Sequence, residues 1–119
     1  MGKQIEPKRG EVYLVNFDPT VGAEIKKTRP ALVLQNDVGN KYSPVTIVAA
    51  ITSFRDDELY PTEVRIAPKE GGLDNESVAL LNQLRTIDKT RLIKRFGTLD
   101  AATMAKVDIS LQISLGLAL

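Results

Sequence analysis

Apolar positions along the chain fall into short blocks separated by turn-forming residues. Glu11–Phe17 alternates loosely, Ala31–Gln35 is a tight apolar run, and Val45–Ile51 (VTIVAAI) has the continuous apolar character of a buried central strand. Glu63–Ile66 alternates again, Ser77–Leu81 is apolar, and Gln83–Ile87 and Arg95–Thr98 read as further strands. Between them, Asn36–Pro44 (NDVGNKYSP) and Pro68–Asn75 (PKEGGLDN) concentrate turn residues and read as loops. Short, closely spaced strands without repeated strand–helix–strand units predict a mainly β, small antiparallel barrel.

The period changes after Asp100. Met104, Val107, Leu111, Leu115 and Ala118 recur at helical spacing, and either Thr98 or Asp100 stands where an N-cap is needed. Ile109 and Ile113 fall off that stripe, so this C-terminal helix is apolar on more than one face. One face covers the barrel; the other is exposed in a monomer, which predicts a dimer or a partner site. No repeat or linker interrupts the chain. Residues 1–119 read as one domain, with the polar 1–8 segment as a flexible arm.

Composition narrows the chemistry. The 119 residues contain neither Cys nor His. Disulfides and thiolate nucleophiles are therefore excluded, and the usual neutral-pH acid/base group and metal ligand are missing. Catalysis is left to Asp, Glu, Lys, Arg, Tyr, Ser or Thr. The net charge is only +1, but it is unevenly spread. Residues 85–95 carry Arg85, Lys89, Arg91, Lys94 and Arg95 against Asp88 alone, whereas residues 56–76 carry seven carboxylates against Arg65 and Lys69. Such separation allows local binding of a polyanion, although two solvated charged faces explain it equally well. The longest apolar tract is broken by Asp108, Ser110, Gln112 and Ser114, so neither a membrane span nor a secretion signal is expected. A soluble cytoplasmic protein follows.

The segment from Gly10 to Pro30 concentrates the candidate chemistry. A strand runs into a loop bearing Glu24, Lys26, Lys27 and Arg29, and the chain re-enters a strand directly afterwards. Charged groups on a loop held between two strands form a site, because the strands set where the polar atoms point. Pro30 biases Arg29 toward extended geometry, and a guanidinium there can grip a phosphate through two parallel hydrogen bonds. On spacing alone, a surface Arg29 paired with Glu24 is the simpler reading. Thr52 ends the buried VTIVAAI strand, where its hydroxyl can meet a reacting oxygen or merely turn back onto Ser53. Gln83, Arg85 and Thr86 stud one strand, as readers of a nucleic acid or as an exposed face. Tyr13 and Phe17 fit core packing better than base stacking. The adjacent Asp56, Asp57 and Glu58 are too close in sequence to converge on a metal, and Gly71-Gly72 lacks the neighbours of a phosphate loop.

Taken in order, RGEVYLVNFDPTVGAE, KKTRPALVLQND, VTIVAAITS, LNQLRTIDKTRL and the helix opening LDAATMAKVD resemble the MazF/PemK family of ribonuclease toxins, over essentially the whole chain from Lys8. The resemblance implies an SH3-like barrel with a C-terminal helix, a homodimer, and no metal or other cofactor. It implies a metal-independent endoribonuclease acting on single-stranded RNA, with Arg29 and Thr52 as the catalytic pair and Glu24 as a third candidate. Phe17, Gly22, Ala23, Ile25, Lys26, Ser53, Gln83, Arg85 and Thr86 are then the positions expected to hold RNA. Transphosphorylation by the 2′-OH, leaving a 2′,3′-cyclic phosphate and a 5′-OH, suits a protein without His. A MazE-like antitoxin with an acidic tail is the implied partner. The competing readings are a CcdB-type toxin aimed at gyrase, against which the absence of Trp argues, and a catalytically silent RNA binder.

Overall fold

The computed structural model describes residues 5–19, 21–23, 27–56 and 58–117. Strands β1 (Glu11–Asn16), β2 (Thr28–Val33), β3 (Val45–Ser53), β4 (Glu63–Ile66), β5 (Ser77–Asp88) and β6 (Leu92–Thr98) form an antiparallel sheet in the order β4-β5-β3-β2-β1-β6. Helix α1 (Asp37–Tyr42) links β2 to β3, and helix α2 (Ala101–Ser114) follows β6. Short 3-10 turns occupy Glu70–Gly72 and Lys89–Arg91.

Period-two alternation buries both faces of the sheet. Val12, Leu32, Ala49, Ile51, Ala79 and Leu81 make one cluster, closed by Val107 of α2, which is fully buried. Tyr13, Val15, Ala31, Val33, Val48 and Ala50 face the other way and join Phe17, Ile87 and Leu92. Ile87 lies on β5 and Leu92 on β6, yet three strands separate β5 from β6 in the sheet. Both belong to one buried cluster because the sheet coils round on itself, which is the expected mainly β, barrel-like architecture; β4 and β6 remain its two edges.

Several predicted boundaries move. Ser77–Leu81 and Gln83–Ile87 belong to one twelve-residue strand, β5, whose register against β3 slips between Ala49 and Ala50. Leu84 pairs with Ala49 and Leu80 with Ala50, so Leu81, Asn82 and Gln83 form a bulge that bends the strand. The Asn36–Pro44 loop contains α1, whose start is capped by the Asn36 side chain accepting from the Gly39 N–H at 2.8 Å. Within the 1–8 arm, Ile5 packs on the second cluster and Pro7 is buried.

Helix α2 follows its predicted stripe as far as Leu111. Asp100, rather than Thr98, is the N-cap, accepting from the Thr103 N–H at 2.8 Å. Met104 and Leu111 pack on the core, Leu115 caps the end and is exposed, and Ala118 lies outside the described residues. Ser110 donates to the carbonyl of Pro61 at 2.7 Å, tying the helix to the approach to β4. Ile109 and Ile113 are exposed, as the off-stripe pattern requires.

Three carboxylates are held below their usual range by backbone donors. The Arg9 N–H does this for Asp37, and the Thr90 and Thr103 N–H groups do it for Asp88 and Asp100. Each contributes stability that is complete above the ordinary carboxyl value of 3.8 and lost as the pH falls through the lowered native value. With no His to titrate, the melting temperature is expected to be level between about pH 5.5 and 8 and to fall only below about pH 4, as thermal scans across pH would show.

Candidate active site

Local geometry at the start of β2 sets the site. Thr28, Arg29 and Pro30 pair with β1, where Val15 faces Arg29 and Leu14 faces Pro30. On the opposite side, the ladder with β3 begins only at Ala31, which faces Ala50. Pro30 has no N–H to offer β3, so the two strands pair no further toward the loop. Carrying the register two residues on sets Arg29 across from Thr52. Directly opposed residues share a face of the sheet, so Arg29 and Thr52 point to the same side as Ala31 and Ala50. They form the outer end of a row whose inner members are core.

Their surroundings differ. Arg29 is exposed, while Thr52 is half-buried and paired across β5 with Val78. Arg85 faces Val48 on the same side of the sheet. Its guanidinium lies 5.8 Å from the centre of the Phe17 ring and donates to the carbonyls of Phe17 and, at 3.3 Å, Pro19. Arg29 and Thr52 therefore share a face at the ends of β2 and β3, and Arg85, on the same side of the sheet, reaches the backbone of the loop joining β1 and β2.

The other predicted site residues have varied surroundings. The Phe17 ring is buried, with 1% of the residue exposed, and is a core group with no face for a base to stack on. Gly22 and Ala23 are exposed in a turn, and Gly22 has a positive φ of 60° in open space. Ser53 ends β3 opposite Ser77 and is exposed. Gln83 sits half-buried in the β5 bulge. Thr86 faces Ile47 and so points to the other side of the sheet from Arg85. Glu24, Ile25 and Lys26 lie outside the described residues.

The base of the loop is tightly specified. The Phe17 N–H donates to the Lys27 carbonyl at 3.0 Å, and the Lys27 N–H donates to Asp18 Oδ1 at 2.9 Å. Asn16 Oδ1 accepts from the Asp18 N–H at 3.1 Å. Arg91, which sequence reasoning placed only in a basic run, donates to the carbonyls of Asn16, at 2.9 Å, and Asp18.

Much of that basic run bonds to other parts of the molecule. Lys89 is buried with its ammonium on the Asn40 carbonyl, Arg95 pairs with Glu11 at 2.6 Å, and Arg85 and Arg91 serve the loop. Of the run at residues 85–95, which the sequence left open between a polyanion surface and a solvated face, Arg85, Lys89, Arg91 and Arg95 have partners within the molecule, while Lys94 is exposed. Among the described residues, Lys27 and Arg29 are exposed cations at the entry to β2. No helix among the described residues is long and apolar enough to cross a membrane.

Comparison with known proteins places this geometry. The model of the PemK-like, MazF-like toxins of type II toxin–antitoxin systems matches residues 8–115. The chain is 51% identical over 110 residues to endoribonuclease EndoA of Bacillus subtilis, covering 92% of this chain and 95% of that one. Its fold superposes on MazF from Deinococcus radiodurans with a TM-score of 0.80 at 28% identity, covering 94% of this chain and 98% of that one. It superposes likewise on a mycobacterial endoribonuclease in complex with its cognate antitoxin, with a TM-score of 0.79 at 25% identity and coverage of 95% and 98%. A gyrase-directed toxin finds no support among these matches.

Proposed function

The chain belongs to the PemK-like, MazF-like toxins of type II toxin–antitoxin systems, and from that premise we propose that it is an endoribonuclease cutting single-stranded RNA at selected sequences without a metal. The observation that carries the reading is the placement of Arg29 and Thr52 on one face, at the point where β2 and β3 stop pairing. A phosphodiester laid across that rim meets a guanidinium from one strand and a hydroxyl from the next.

The reaction is transphosphorylation. The ribose 2′-oxygen attacks the adjacent phosphorus, its proton passing to a base, for which the Glu24 carboxylate is the candidate. As the new P–O bond forms, negative charge builds on the non-bridging oxygens. Arg29 neutralises that charge and Thr52 donates to one of those oxygens. The bond to the 5′-oxygen then breaks. A leaving alkoxide is more basic than a neutral guanidine, so Arg29 gives it a proton, and the proton that the base took from the 2′-OH returns to Arg29 through water, restoring both groups. The products are a 2′,3′-cyclic phosphate and a 5′-OH.

The substrate class follows from the same chemistry. DNA lacks the nucleophile, and an unpaired strand can splay its bases toward the loop. Gly22 and Ala23, exposed at that loop, and the half-buried Gln83 are the described groups nearest to this task. The mycobacterial relative is held by an antitoxin; here an acidic antitoxin segment competes with RNA for the same cationic rim. The exposed Ile109 and Ile113 favour a homodimer, and the site of action is the cytoplasm.

An RNA carrying a single 2′-deoxynucleotide immediately 5′ of a mapped cut tests the chemistry. Cleavage at that bond is expected to vanish while neighbouring cuts persist. Continued cutting there would mean that water, not the 2′-oxygen, attacks phosphorus.

A further inference from the structure

Four successive carbonyls at the exit of β1 are taken by two arginines in alternation. Arg91 holds Asn16 and Asp18, and Arg85 holds Phe17 and Pro19. The two guanidiniums thus take alternate carbonyls along the segment that leaves β1. Arg85 comes from β5 and Arg91 from the turn before β6, so the grip joins distant parts of the coiled sheet to the base of one loop. Asp18 closes the base by accepting from the Lys27 N–H at 2.9 Å, two residues before Arg29.

From this arrangement we propose that Arg91 is a positioning residue that sets the β1–β2 loop relative to Arg29 and so governs where RNA is cut. The inference rests on the ribonuclease reading of the site. Arg91 itself faces the loop backbone, so its influence on RNA passes through the loop. Both bonds leave one terminal nitrogen, Nη1, which lies a bond beyond the point where a lysine side chain ends, so Lys is a poor replacement by reach. Arg85 shares the task, but its place on the face of Arg29 and Thr52 leaves it open to direct contact with RNA. Arg91 is therefore the cleaner probe.

The test compares the full-length protein with Arg91→Ala and Arg91→Lys. It measures steady-state cleavage of a single-site RNA, the distribution of cuts on mixed-sequence RNA, and amide exchange at Phe17 and Lys27. Arg91→Ala is expected to raise KM about tenfold with kcat within about threefold, because loop placement affects binding before chemistry. Cuts should spread to additional sequences, and exchange at Phe17 and Lys27 should quicken. Arg91→Lys is expected to stay within about threefold of the alanine variant, keeping the charge but losing the reach to both carbonyls. Restoration of KM by Lys while exchange at Phe17 and Lys27 stays fast would overturn the proposal, because it would make Arg91 a simple attractor of phosphate. Unchanged KM, cut sites and exchange in both variants would overturn it as well. An inactive wild type would sink the ribonuclease reading instead, while the exchange rates would still decide whether Arg91 fixes the loop.

Discussion

Replacing Arg29 with Ala is expected to lower kcat/KM for RNA by about 10³-fold or more, the usual scale for a cation that meets transition-state charge. That loss corresponds to about 4 kcal/mol or more of transition-state stabilisation. Arg29 is exposed at the end of a ladder, so its removal opens no cavity and the fold should persist. Arg29→Lys keeps the charge but cannot present two parallel donors to a phosphate, and should recover only part of the rate. Thr52→Val, which removes one neutral donor while keeping the shape, should cost less, about 10²-fold. Single-turnover rates with saturating enzyme separate these losses from weaker binding. Rates for Arg29→Ala within about tenfold of wild type would remove it from the chemistry.

Gly72→Ala should damage stability more than any other single-methyl addition argued from this structure. Gly72 has a φ of 76°, and an added Cβ would lie 2.0 Å from the carbonyl oxygen of Phe96. The same turn presses on β6 from its neighbour, since a Cβ on Gly97 would lie 2.7 Å from the carbonyl carbon of Gly71. Both obstacles are backbone, which cannot swing aside as a long side chain would. Left-handed strain of about 1–2 kcal/mol adds to overpacking of about 1–3 kcal/mol. A fall in melting temperature of about 10 °C or more follows for a domain of this size. Well below the new transition, cleavage of RNA should remain near wild type, because the turn lies on β6 and not at the rim of Arg29. A melting temperature within about 3 °C of wild type would show that the turn and β6 can separate cheaply.

What the sequence revealed divides along physical lines. Strands such as Val45–Ser53 and Glu63–Ile66 were legible because their apolar patterns end at clear turn residues. Helix α1 was not, since its Asn, Gly and Ser residues also favour turns and six residues hold less than two helical turns. The Gly71-Gly72 pair was rightly seen as a turn, but its contact with Gly97 joins positions that no local pattern connects.

The site shows the same division. Arg29 and Thr52 stood out through a strand-entry Pro and a strand end, together with the family resemblance. Neither feature alone distinguishes them from surface residues. Their shared face needed the register of β2 against β3. The partners of Arg85, Lys89 and Arg91 were hidden for a simpler reason. They are backbone carbonyls, which every residue carries and no sequence pattern marks. The basic run therefore stayed open between a polyanion surface and a solvated face, while three of its cations in fact hold backbone within the molecule.

Incubation of the purified protein with mixed-sequence single-stranded RNA in EDTA, followed by mapping of the new ends, tests the central claim most directly. Discrete cuts leaving 2′,3′-cyclic phosphate and 5′-OH ends, lost in Arg29→Ala, are predicted. Intact RNA, cleavage that survives in Arg29→Ala, or 5′-phosphate ends would each contradict it.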